Sequence, residues 1–407
     1  MTALSGLRRR RTLTMLGATT VVVIVAILLA VTGVQAIRQY TAAKKADAGL
    51  PVQPVPDTPT AMFATVDAAN QLTSVAVFVL APSLSGGSIV AVPVNADSTQ
   101  GVGADRLTLH DAYAQDGLTG LVQAVESALS ISVDYWVVDD PAKAAGVLLP
   151  VAPVEVDLPR TVVGDTDGKT TVVFPRGQRS LDAPAAVQVL TSVSSTVNEA
   201  ARTPNIDALW SAVATSVGPG KPPASLTPTV TSFDDLAAHL FAGPVGARGL
   251  PLGTFAPETP GLDNKDIALL DRAEEVLVFA SVAPGSMSRP GNGLAFRLVA
   301  PPGSEAKVKE TISVLLYLGD NIASVDLTAT PQAATQVFIY DDSAKAATDA
   351  LKPVLGDFSY ATPAAQPDGV DATIVLGTDF ISNTQPVTTP VTTSTTVEGA
   401  DPAATEG

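Results

Sequence analysis

The sequence predicts an α/β protein: an N-terminal transmembrane helix, then an α/β/α sandwich, then a smaller α/β sandwich. Three observations carry this. Residues Leu13 to Val34 form an uncharged run dominated by Val, Ile, Leu and Ala; strand and helix patterns alternate from Val75 to Val217; and a second alternating series opens at Gly293. A chain of 407 residues, 46% of them apolar, is long enough for two domains with cores and for flanking segments.

The apolar run exceeds the roughly 20 residues that a helix needs to cross a bilayer core. Arg8-Arg9-Arg10-Arg11 precede it and by the positive-inside rule hold the N-terminus in the cytoplasm. A cleavable signal peptide is the alternative, but its apolar core runs to about 7–15 residues, and Val34-Gln35-Ala36 makes a poor cleavage site. Residues 1–40 are therefore expected to be a basic stub and a single-pass anchor in the cell membrane, with the bulk of the chain extracytoplasmic. Residues 41–60 are small, polar and Pro-rich and read as an extended spacer. Residues 383–407 hold Thr, Pro, Val and Ala with nothing to anchor a core, and read as a disordered tail.

The first globular region is placed at 61–245. Val75–Leu80 and Ser88–Val94 are apolar runs either side of the turn Ser85-Gly86-Gly87, a strand–turn–strand pattern. Leu118, Leu121, Val122, Val125 and Leu129 fall at helical spacing. Val133–Val138 reads as a strand, and Asp140-Pro141 as a cap and first turn of a helix. Val154–Leu158 alternates as a half-buried strand, and Pro184–Leu190 and Ile206–Val217 read as helices.

Residues 246–289 form a connecting region without an assigned role, in which Ile267–Ala280 reads as a helix running into a strand at Val276–Phe279. From 290 to 382 the order is strand (Leu294–Ala300), helix with Ser304 as candidate N-cap, strands (Ile322–Leu327 and Gln336–Tyr340), helix (Ser343–Val354) and a final strand (Ala372–Gly377).

A net charge of −16 without a basic stripe argues against nucleic acid as a partner. Cysteine is absent, so disulfide, thiol and Cys–metal chemistry are unavailable. His110 and His239 lie far apart without ligand spacing, so no metal site and no cofactor is expected.

The order of short segments resembles the LytR–CpsA–Psr (LCP) family of membrane-anchored enzymes that attach polymers to peptidoglycan. The similar stretches are Gly87-Ser88-Ile89-Val90-Ala91-Val92-Pro93, Ala112-Tyr113-Ala114 with Gly117, Asp134-Tyr135-Trp136-Val137-Val138 with Asp140, Val154-Glu155-Val156-Asp157-Leu158-Pro159, and Phe174-Pro175, Gly177, Leu181-Asp182 and Ala186. The region at 290–382 is similar to the C-terminal domain that follows it in actinobacterial proteins, most clearly in Ile374-Val375-Leu376-Gly377-Thr378-Asp379-Phe380.

The resemblance implies transfer of a phosphoglycan from a polyprenyl-pyrophosphate carrier, with arginines gripping the pyrophosphate and carboxylates holding Mg²⁺ or taking a proton. The matching positions here are Gln71 and Thr73, Val94 and Asn95, and Thr191 and Val193, all neutral. Neither Val nor Thr replaces a guanidinium fork. Asp97 and Arg106 are candidate stand-ins. The resemblance also implies an apolar cavity for the polyprenyl chain, with Val75, Val77, Val79, Val90 and Val92 as candidate lining. The reading that follows is a catalytically degenerate, non-enzymatic lipid-carrier or partner-binding scaffold in cell-wall polymer assembly, with the membrane, a polyprenyl-linked precursor and cell-wall assembly proteins as partners. Two alternatives stay open: an active phosphotransferase with an altered site, which alone would use Mg²⁺, and a protein-interaction module unrelated to lipid.

Overall fold

The computed structural model describes residues 50–99, 106–253, 266–288 and 293–383. The expected membrane helix at 1–40, residues 41–49 of the spacer and the tail from 384 lie outside the described residues. Among those described, no helix is long and apolar enough to cross a membrane. Pro54–Pro363 and the described part of Pro367–Gly407 form one compact unit, and the short stretches 50–53 and 364–366 belong to another.

The first sheet has five strands: β1 (Thr60–Val66), β2 (Leu72–Leu80), β3 (Gly87–Val92), β4 (Tyr135–Asp139) and β9 (Val245–Gly249), in the order β9-β3-β2-β1-β4. Between β4 and β9 lie two antiparallel pairs, β5 (Val154–Leu158) with β8 (Gly177–Leu181), and β6 (Val162–Thr166) with β7 (Lys169–Phe174). The β2–β3 hairpin is the one predicted, with Val75 opposite Val92 and Val77 opposite Val90. Its turn needs glycine: Gly86 sits at φ +76°, and a Cβ there would lie 2.3 Å from the Pro244 carbonyl oxygen.

Helices cover both faces, giving the three-layer α/β/α arrangement. On one face α2 (Pro141–Leu148), α3 (Ala183–Thr191), α4 (Glu199–Val217) and α5 (Phe233–Phe241) pack over Phe63 and Phe78. Trp210 and Phe233 stack among those rings, with Trp210 edge-on to Phe78 at 5.6 Å. On the other face, α1 (Leu109–Leu129) and α6 (Arg272–Val282) pack over valines. The sheet's phenylalanines thus lie on one side and most of its valines on the other.

Several elements differ from the sequence reading. Thr60–Val66 had no strand assigned, yet β1 is wholly buried and central; a strand covered on both faces shows no alternation to read. The spacer therefore ends before Thr60. α1 begins at Leu109 and not at Leu118: Thr108 and Asp111 form a reciprocal capping box, and Gly117 at φ 62° kinks the helix at the point where the periodic stretch starts. α4 begins at Glu199, capped by Asn198, and not at Ile206, with Pro204 inside its first turns. The first sheet takes its edge strand from Val245–Gly249 and so reaches past residue 245. Asp167-Gly168, at φ 52° and 72°, turns the β6–β7 hairpin. That dipeptide is a readable hairpin signal which the sequence reading passed over.

The connecting region supplies the largest correction. Val276–Phe279 is helical, not a strand, and belongs to α6, whose N-cap Asp271 accepts from the Glu274 amide. The apolar run looked like a strand because the helix is buried all round. Val278 and Phe279 join the first sheet's core, while Ala273, Val276, Leu277 and Ala280 join the second.

The second sheet holds β10 (Ala295–Val299), β11 (Asn321–Asp326), β12 (Gln336–Ile339), β13 (Ser359–Ala361) and β14 (Ala372–Val375), ordered β11-β10-β14-β12-β13. α7 (Glu305–Tyr317) and α6 cover it with Val308, Ile312 and Leu315 of α7 inward. β13 is one strand more than the sequence suggested. Ser304 does not cap α7; its hydroxyl donates to the Pro301 carbonyl instead.

Glu275 of α6 is 2% exposed and accepts from Arg272 at 3.1 Å. Burial pushes its carboxyl up to about 8, against the opposing Arg272 charge. Asp207 of α4 is likewise raised, to about 6, by burial. A carboxyl with a raised folded-state value binds its proton more tightly when folded. It stabilises fully below its unfolded value and loses that stabilisation as pH climbs through the folded one. Thermal stability should therefore fall from about pH 5 to pH 8, and Glu275→Gln should flatten the upper part of the slope. A melting series across that range checks it; stability rising with pH in both proteins would contradict it.

Candidate functional site

A cleft of about 460 Å³ opens where the start of β2, the end of β3 and the N-termini of α1 and α4 meet. Gln71, Thr73, Val94, Asn95 and Val193 all line it. These are five of the six positions that the sequence matched to the LCP catalytic clusters, brought together from stretches more than a hundred residues apart. Thr191, the sixth, is not among the lining residues; its hydroxyl donates to the Val187 carbonyl within α3.

Local chemistry fixes each wall. Asp67 accepts from the Ala69 and Gln71 amides at 2.8 Å, which shapes the turn presenting Gln71. Thr73, the second residue of β2, is fully buried, its hydroxyl donating to the Thr65 carbonyl. Val94 and Asn95 form a turn directly after β3. Asp111, in the capping box of α1, accepts from the Thr108 amide at 3.0 Å. Asp266 reaches in from the connecting region: its carboxylate accepts from Asn95 Nδ2 at 3.0 Å and from the Glu199 amide at 2.8 Å. A helix N-terminus favours an anion; at both helices here, a carboxylate of the chain itself takes that place.

Among the described residues lining the cleft, Arg202 is the one permanent cation. It is 8% exposed and already committed. Nε donates to the Ser192 carbonyl, and one terminal nitrogen donates to the Thr73 and Leu190 carbonyls, each at 3.0 Å. The other terminal nitrogen pairs with Glu199. Burial raises the Glu199 carboxyl while the Arg202 charge opposes it. Against this single paired cation stand Asp67, Asp111, Glu199 and Asp266, with His110 half-buried. The rim is acceptor-rich and acidic, the reverse of a pyrophosphate grip.

Asp97 and Arg106 do not line this cleft. They pair with each other in the interior, at 2% and 4% side-chain exposure, and Asp97 also accepts from the Thr99 hydroxyl. Among the described residues, no group of three or more His, Asp or Glu side chains could hold a metal ion. Val75, Val77, Val79, Val90 and Val92 lie in the cluster under α1 and α6, with Leu121, Val125, Leu129 and Phe279 packed beside them. None of the five lines the cleft.

The sequence reading missed Arg202, Glu199 and Asp266. Glu199 and Arg202 sit at i,i+3, a spacing that would have flagged a helical ion pair had the helix been started at Glu199. Asp266 carried no local signal, because its partners lie 171 and 67 residues away.

No protein-family model and no curated protein matches the chain. Solved structures of LytR–CpsA–Psr proteins are similar to it at low identity. One is a LytR-Csp2A-Psr enzyme from Actinomyces oris, at 19% identity over 54% of this chain and 92% of that one, TM-score 0.37. Another is TagV of B. subtilis, at 13% identity over 66% and 99%, TM-score 0.38. A third, YwtF (TagT), was solved with bound octaprenyl pyrophosphate lipid, at 17% identity over 56% and 93%, TM-score 0.36.

Proposed function

We propose that this chain is a non-catalytic LCP-like protein that serves cell-wall polymer assembly as a scaffold on the outer face of the cytoplasmic membrane. The observation that carries the reading is the convergence of Gln71, Thr73, Val94, Asn95 and Val193 on one cleft. Positions chosen only by resemblance to catalytic motifs meet in space, which supports the match, and none carries the charge that the family's chemistry needs. Transition-state charge on a pyrophosphate requires preorganised cations, and losing one such contact costs on the order of 10²–10³ in rate. Groups acting as a unit are not additive, but here the whole set is missing. Membrane anchoring is supported by the apolar run at Leu13–Val34 behind four arginines.

The test is a transfer assay with full-length protein in membranes, a polyprenyl-pyrophosphate-linked glycopolymer as donor and peptidoglycan as acceptor. The expected result is no turnover above a protein-free control, with or without Mg²⁺. Turnover above that control would overturn the non-catalytic reading.

A further inference from the structure

We propose that a second cavity, between β4, α2 and α5, binds a small apolar molecule through a primary amine held by Asp139. It shares no lining residue with the cleft, so the inference stands apart from the reading of that site. The cavity holds about 740 Å³, closed on one side by the Lys221-Pro222-Pro223 segment. Val137, Val147, Ala237 and Phe241 give it apolar walls. A cavity of this size and lining, with a few polar groups, suits a small organic molecule.

Asp139 selects the ligand. Along β4, Tyr135 and Val137 pack into the core on the α2 and α5 face, and Val138 packs into the opposite one. The strand period of two therefore turns Asp139, a lining residue, to the cavity side. The residue is 7% exposed, and its carboxylate accepts no hydrogen bond from the described residues. Its oxygens nevertheless stay accessible to a molecule the size of water. Burial lifts the carboxyl above its ordinary value, with the Lys143 charge opposing. A carboxylate so placed is costly until it is paired and hydrogen-bonded.

Neither lysine on the wall supplies the missing donor. The Lys143 ammonium lies 3.9 Å from Asp140, on a side chain that is 71% exposed. Lys221 Nζ donates to the Val151 carbonyl at 3.3 Å and to the Ser216 hydroxyl at 3.1 Å. Asp234, in the first turn of α5, adds a second carboxylate to the lining. A phosphate or carboxylate head group would bring only acceptors to an acid that already lacks a donor. An ammonium brings three N–H donors and the opposite charge, and a charge-assisted bond of this kind is the strong one.

The probes are phenethylamine, phenethyl alcohol and phenylacetate, which share an aromatic ring and differ in the head group. Each is titrated calorimetrically at neutral pH into the purified full chain. The amine should bind saturably and about tenfold tighter than the alcohol, the margin by which a charge-assisted hydrogen bond exceeds a neutral one. Phenylacetate should be the weakest of the three. Asp139→Asn should bring the amine down to the level of the alcohol while the alcohol's own affinity holds. It should also melt no lower than the wild type, since it removes a desolvated charge. A merely structural Asp139 would instead shift the melt and leave the ratio of amine to alcohol unchanged. A Cβ at Gly146, on the cavity wall, would meet nothing within 4 Å, so Gly146→Leu grows into the open space without a clash and should abolish binding of all three probes. No saturable binding, equal affinities for amine and alcohol, an amine preference that survives Asp139→Asn, or undiminished binding by Gly146→Leu would overturn the proposal.

Discussion

Arg202→Met should destabilise the protein by about 3–5 kcal/mol, the range for removing one partner of a buried ion pair. In a domain of this size that is a fall in melting temperature of roughly 6–20 °C. The side chains of Arg202 and Glu199 are 9% and 5% exposed, so removing the guanidinium leaves Glu199 without its counter-charge. It also strips donors from the carbonyls of Thr73, Leu190 and Ser192, which come from β2, from α3 and from the residue that ends α3. Methionine refills the volume but none of those bonds. Glu199→Gln added to Arg202→Met should recover part of the loss, because it removes the stranded charge while leaving the three carbonyls unmet. Thermal melts of the two variants beside the wild type check this. A loss below about 1 kcal/mol for Arg202→Met would mean that the pair is solvated and that the cleft's one cation is available to a ligand.

That outcome bears on what could be read from sequence. The strand–turn–strand around Ser85-Gly86-Gly87 was legible, although β2 is buried along its whole length, because a glycine turn separates two apolar runs and Gly86 takes a positive φ. β1 and α6 were not, because each is buried on all sides, and uniform burial erases the period that tells strand from helix. The site was legible in outline only. The motif resemblance marked Gln71, Thr73, Val94, Asn95 and Val193, and the fold gathers them. What replaced the lost charges could not be read, since Arg202, Glu199 and Asp266 acquire their roles through tertiary contacts. Asp97 and Arg106 attracted attention as the nearest charges in sequence, but proximity along the chain is a poor guide here, because the two side chains pair with each other in the interior.

Polyprenyl-pyrophosphate binding is the second large effect expected, and it is a loss. Each charge-assisted contact to phosphate contributes about 1.5–3 kcal/mol, so a grip of several arginines separates the pyrophosphate lipid from its uncharged alcohol by several orders of magnitude. Here the helix N-termini at the cleft already hold Asp111 and Asp266, and Arg202 is paired. The diphosphate adds charge where the rim is already negative, so it gains nothing and meets repulsion.

The most direct measurement is a titration of the purified full chain in detergent with a polyprenyl pyrophosphate and, in parallel, the polyprenol of the same length. The account predicts that the pyrophosphate form binds no tighter than the alcohol and leaves the Asn95 and Arg202 signals unmoved. A pyrophosphate form that binds about tenfold tighter or more, with shifts at Asn95 and Arg202, would contradict it.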